Sequence, residues 1–199
     1  MTYEETKAQI KTHANKDEYE EAILLAEQLL YTVSTTDFHK VIGRDLLSLT
    51  GGAAGFITDF YNEALKQIDV KAMYFEMNGF GINPDLWFFN AYGLNFCGNP
   101  DDPEDESWLA DYQYYYKYAC VISGYEDIQA ATKDHLDNKR YKDPVQRDAK
   151  DYSETVVSLR YLQLMKNVAR FAVENDMPWK SIPFFANSHD DGMLYKSIK

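Results

Sequence analysis

The chain is predicted to fold as α+β: a mostly helical single domain with a small antiparallel sheet built on a central hairpin. Three observations predict it. Apolar residues recur at helical spacing through most of residues 1–68 and again through 153–175. Between 70 and 96 the pattern changes to the two-residue alternation of strands. The length, 199 residues, suits one domain over 1–199 and is short for two.

Residues 2–12 place acids first and lysines later, the order a helix dipole favours, over a thin apolar stripe, so they read as a loosely attached helix. Residues 17–33 set Tyr19, Ala22, Ile23, Ala26, Leu29, Leu30 and Val33 on one face, and Asp17 with Glu20 has the spacing of a capping box. Thr36 caps the next predicted helix, which carries Phe38, Val41, Ile42, Leu46 and Leu49 and should stop near Gly51-Gly52. Beyond these glycines a further helix is read from Ile57, Phe60, Tyr61, Ala64, Leu65 and Ile68. The run Gly51-Gly52-Ala53-Ala54-Gly55 lacks the Lys-Ser/Thr of a P-loop and the GxGxxG spacing, so it reads as a connector between helices.

The hairpin occupies 70–96. In its first strand Val70, Ala72 and Tyr74 lie on one face and Met73, Phe75 and Met77 on the other. After a turn-rich run at 78–85, Leu86, Phe88, Tyr92, Leu94 and Phe96 share one side of the second strand, with Trp87 and Phe89 opposite. Two largely apolar faces imply a hairpin in the middle of the protein with helices over at least one face. Residues 98–106 hold two prolines and five acids without a base and read as an exposed loop. For 108–123 the residues before Trp108 suggest a helix start, while Tyr112, Tyr114, Tyr116 and Tyr118 alternate like a strand, and the helix is the preferred reading. The helix-rich remainder comprises 125–137 and 153–175, closed by Pro178, then short strands at 182–186 and 193–198.

Composition limits function. Apolar residues at 45% and aromatics at 15% support a packed core. A formal charge of −12 opposes attraction to phosphate backbones or anionic lipids, so neither nucleic acid nor membrane is expected as a ligand. No apolar window is long enough to span a bilayer, and the start Met1-Thr-Tyr-Glu-Glu lacks the basic and apolar regions of a signal peptide; a cytoplasmic protein is expected. Cys97 and Cys120 are too few for a disulfide framework. No cofactor and no metal centre is implied.

Two groups of residues carry candidate chemistry. Ser188-His189-Asp190-Asp191 puts an imidazole beside two carboxylates at a strand end, a set able to hold a divalent ion or act as a general base, with Cys97 as a candidate nucleophile to join it. A His-Asp-Asp-Gly run is equally good turn chemistry. The other group is acidic and aromatic: Asp101, Asp102, Glu104, Asp105 and Glu106 lead into Trp108, Tyr112 and Tyr115. It lacks the ligand pattern of an EF-hand but suits a basic site on a partner protein. The 16 tyrosines add to this, because one helix face cannot bury Tyr114, Tyr115 and Tyr116 together.

The stretches Ala72-Met-Tyr-Phe-Glu76, Leu86-Trp-Phe-Phe89 and Asp101-Asp102 through Ser107-Trp108-Leu109 resemble uncharacterised bacterial α+β domains, some of them immunity proteins of toxin systems. The resemblance implies a protein that binds and blocks a cognate toxin, and an acidic surface would suit a basic nuclease toxin. It transfers no catalytic residue. The expectation is therefore a non-enzymatic, acidic protein-binding module; a hydrolytic or metal-dependent enzyme centred on His189 and a structural homo-oligomer subunit are the alternatives.

Overall fold

Alternation through the first hairpin strand decides the architecture. The computed structural model describes residues 3–99, 102, 105–189 and 192–197. Strand β1 (Ala72–Asn78) runs antiparallel to β2 (Phe88–Leu94), with Tyr74 opposite Tyr92 and Glu76 opposite Asn90. On its other side β1 pairs with β5 (Phe184–Ser188), and this pairing is parallel, with Glu76 opposite Asn187. The two-residue strands β3 (Tyr114–Tyr115) and β4 (Cys120–Val121) border β2, and β6 (Leu194–Lys196) borders β5. The sheet is thus mixed where an antiparallel one was expected. Its parallel step has a topological cause: the chain leaves β1 and returns as β5 only after a long helix, the kind of crossover parallel strands require.

Among the described residues five α-helices accompany the sheet: α1 (Tyr3–Ala14), α2 (Tyr19–Leu30), α3 (Thr50–Ala64), α4 (Glu126–Asp137) and α5 (Pro144–Glu174). The last starts nine residues before the predicted stripe because Asp143 caps it, accepting the Val145 N–H at 2.9 Å, with Pro144 in the first turn. All residues from Val156 to Met165 are buried, so α5 is the central helix of the core. Its one buried cation, Arg160, reaches Glu27 of α2 at 3.2 Å and Gln163 at 3.1 Å, which satisfies charge between the two helices.

Met73, Phe75 and Met77 face the helices. Phe75 meets Phe60 of α3 at 5.8 Å, Phe89 at 6.0 Å and Phe184 at 5.5 Å between ring centroids. The Tyr161 hydroxyl of α5 donates to the Phe75 carbonyl at 3.2 Å. Gly93 of β2 lets this layer close in, since a Cβ there would lie 3.1 Å from Ile68 Cδ1. On the opposite side Ala72, Tyr74, Leu94 and Phe185 pack with Trp108 and Leu109 in a second, smaller cluster. Among the described residues, α-helices therefore cover one face of the sheet only.

Several local readings change. Gly51 and Gly52 do not end a helix but lie in the first turn of α3, where burial of Ala53, Ala54, Ile57 and Phe60 outweighs a propensity cost of about 1 kcal/mol per glycine. Thr36 does act as a cap, accepting the Phe38 N–H at 3.3 Å, yet the segment it opens is a 3-10 turn, Asp37–Val41, interrupted at Gly43 with φ of +72°. Asp17 forms no capping box; it takes a left-handed conformation between α1 and α2. The expected helix over 108–123 is absent. Ser107–Ala110 forms one 3-10 turn and β3 and β4 follow, because alternating tyrosines offer one buried side, Tyr116 against Phe56 and Phe60, and no helical stripe. Helix α1 is better docked than its thin stripe suggests, burying Thr6, Ile10 and Ala14.

Candidate functional site

The face of the sheet without helices is built by the even positions of β1 and β2. Tyr74 and Glu76 point there with Asn90 and Tyr92, and β5 adds Asn187 with His189 immediately after it. At the centre stands the Glu76 carboxylate, its side chain 21% exposed. Nδ1 of His189 lies 3.0 Å from Glu76 Oε1. The Tyr74 hydroxyl is 3.4 Å from the same oxygen and donates to Asn187 Oδ1 at 2.7 Å. The Tyr92 hydroxyl is 3.5 Å from Oε2. Burial, reinforced by the Glu76 charge, pushes the Tyr92 phenol up to about 12 and the Tyr74 phenol higher still, so both hydroxyls remain proton donors at neutral pH.

An aromatic shelf extends from this centre. The ring of Tyr92 stacks on Tyr74 at 5.5 Å and contacts Tyr112 at 4.6 Å and Tyr115 at 5.5 Å. Tyr112 and Tyr115 are 45% and 48% exposed, and Val121, opposite Phe88 on the same face, is 49% exposed. Tyr112 and Tyr115, read from the sequence as belonging to a different candidate site from His189, lie on the same face of the sheet as His189.

The acidic segment has a different place. Asp101 and Glu104, like Asp190 and Asp191, lie outside the described residues. Asp102 is exposed. Asp105 accepts the Ser107 N–H and the Asn99 side-chain amide, both at 2.8 Å, and hydrogen bonds from the Ser107 side chain, the Asn99 amide and the Ser107 N–H hold its carboxyl below the usual range. Glu106 pairs with Lys196 of β6 at 3.0 Å. Together they seat Trp108 on the sheet, edge-on to Phe185 at 5.1 Å and tilted against Phe96. Trp108 is therefore not a surface contact as expected; its apolar area is spent closing the second cluster. A cleft of about 550 Å³ remains beside it, lined by Cys97, Asp105, Glu106, Phe185, Leu194 and Lys196.

The remaining candidates do not converge. Partial burial raises the Cys97 thiol, the opposite of what activates a nucleophile, and burial pushes Cys120 up to about 12. His39 accepts the Thr36 N–H and bonds the Leu30 carbonyl as part of a cap, His13 pairs with Glu18, and His135 is buried against Phe38 and Tyr141. Among the described residues no three His, Cys, Asp or Glu side chains converge to hold a metal ion, and no helix is long and apolar enough to cross a membrane. The residue that sequence reasoning missed is Glu76. Its signal was a lone carboxylate in an apolar alternation, on the same side as Tyr74. Comparison with protein-family models, with curated proteins and with solved structures finds no match.

Proposed function

We propose that this protein acts in the cytoplasm as a non-enzymatic binding module, its partner a basic protein that docks on the helix-free face of the sheet. The observation that carries the reading is the shelf of half-exposed Tyr112, Tyr115 and Val121 around a central carboxylate. Tyrosine supplies large contact area at small entropic cost and is enriched where partners bind most tightly. A chain charge of −12 supplies steering toward a basic surface. An inhibitor or immunity protein of a bacterial toxin system is the form of such binding to which the resemblance points. The test is affinity capture from native host lysate at low and high salt with the parent and with a Tyr112→Ser/Tyr115→Ser variant. One basic protein held by the parent at low salt, shed at high salt and lost in the variant is the expected result. Equal capture by both chains places the surface elsewhere.

A second reading, a hydrolytic or metal-dependent site, is favoured by one observation, the 3.0 Å pairing of His189 with Glu76, which would orient the imidazole as a base. Stoichiometric metal in the purified protein, lost in His189→Ala, would support it over the binding module.

A further inference from the structure

We propose that Glu76 and the tyrosines around it form a seat for one arginine side chain of the partner. The inference rests on the binding-module reading and specifies which chemistry the face recognises. Glu76 lies at the centre of the uncovered face, and its two oxygens are unequally used. Oε1 meets His189 at 3.0 Å and Tyr74 at 3.4 Å, whereas among the described residues Oε2 meets the Tyr92 hydroxyl alone, at 3.5 Å. A carboxylate has about four acceptor sites, so the Oε2 side retains capacity for strong donors. The neighbouring acceptors point to the same kind of ligand. Asn90 stands opposite Glu76 on β2, where it takes a long bond, 3.5 Å, from the Tyr115 hydroxyl and hydrogen-bonds the Tyr92 side chain; Asn187 stands beside Glu76 on β5 and accepts the Tyr74 hydroxyl at 2.7 Å, and each amide oxygen has a second lone pair for a further donor.

The walls discriminate between cations. Tyr92 is flanked by Tyr74, Tyr112 and Tyr115 within 5.5 Å, and the outer two rings are half-exposed. A planar guanidinium can present N–H groups to Oε2 while its face lies on a phenol ring; an ammonium is a point charge without a plane to stack. The overall charge of −12 is complementary to that ligand and opposes an anionic one. The rings and the carboxylate are already packed against one another, so little ordering is needed when the side chain arrives.

The experiment titrates the isotopically labelled full chain with N-acetyl-arginine methylamide, and separately with N-acetyl-citrulline methylamide, which has nearly the same shape and no charge. The expected result is saturable shifts of the Glu76 side-chain carboxyl carbon and of the Tyr92 and Tyr112 ring signals, with half-saturation about tenfold lower for the arginine probe. Glu76→Gln should remove that preference while the backbone spectrum keeps its dispersion. Equal half-saturation for the two probes overturns the proposal, as do shifts that bypass Glu76. The probe comparison on the parent chain decides the matter even if Glu76→Gln unfolds. It is also separate from the capture experiment: if capture depends on Tyr112 and Tyr115 but the probes bind alike, the docking face stands and the arginine seat falls.

Discussion

The two faces of the sheet use the same residue types to opposite ends. Toward the helices, Phe75 contacts Phe60, Phe89 and Phe184, and each ring is almost wholly buried. On the other side Tyr74, Tyr92, Tyr112 and Tyr115 also form a chain of ring contacts, but the Tyr74 and Tyr92 hydroxyls meet the Glu76 carboxylate and the outer rings meet solvent. Neighbouring residues on β1, Phe75 and Glu76, thus point to the buried layer and to the open face, which on the proposed reading separates stability from recognition. A strand's period of two allows this division with no extra element.

The sharpest way to break the comparison is at Phe75. Phe75→Ala should cost about 3–5 kcal/mol, the usual range for emptying a buried phenylalanine site, measured as a lowered midpoint in urea denaturation. Its contacts run to three other rings, one of them Phe60 of α3, so the site cannot collapse easily. A loss below about 1 kcal/mol would mean that the helical layer is not the stabilising one.

How much of this division was legible in the sequence depends on the range of the signal. The side assignments of Met73, Phe75 and Met77 against Ala72 and Tyr74 follow from alternation alone, and the structure has them so; Val70, expected beside Ala72 and Tyr74, lies ahead of β1 and packs in the helical-side core instead. The placement of helices over a face of the hairpin follows from the apolar runs on both sides. What alternation cannot supply is the partner of Glu76. His189 reaches it across 113 positions, through a parallel pairing that exists only because α5 carries the chain back. Trp108 was misplaced for a related reason. A tryptophan after five acids reads as exposed, but two of those acids, Asp105 and Glu106, are bonded to Ser107, Asn99 and Lys196, and this turns the indole inward. Gly51 and Gly52 show local propensity yielding to packing. Nothing lies within 4 Å of a Cβ built on either, so the buried alanines beside them decide the helix.

The helical layer has its own exception, a smaller effect that sharpens the contrast. His135 of α4 is 1% exposed, and neither ring nitrogen has a hydrogen-bond partner among the described residues. Burial, with Lys150 and Arg140 nearby, lowers its pKa against the opposing pull of Asp151 and Asp134. The unfolded chain therefore binds the proton more readily, and stability rises with pH through the window below about 6.5. Acidification from pH 6.5 toward 5 should lower the denaturation midpoint in the parent. His135→Phe, which keeps an aromatic ring against Phe38, should flatten that part of the profile. An unchanged slope in the variant would assign the pH dependence to other groups.

The smallest effect on stability is expected on the uncovered face, and its smallness is what gives it weight. Tyr115→Ser removes a half-exposed ring, a 3.5 Å contact with Asn90 and one edge of the Tyr92 cluster. None of these is a buried, fully satisfied interaction, so the denaturation midpoint should move by no more than about 0.5 kcal/mol equivalent. If Tyr115→Ser instead destabilises the fold as Phe75→Ala does, the tyrosine shelf is a second core and its exposure has no bearing on a partner. If stability holds while capture of the partner fails, the ring is kept at the surface at little structural benefit, and recognition is the use that accounts for it.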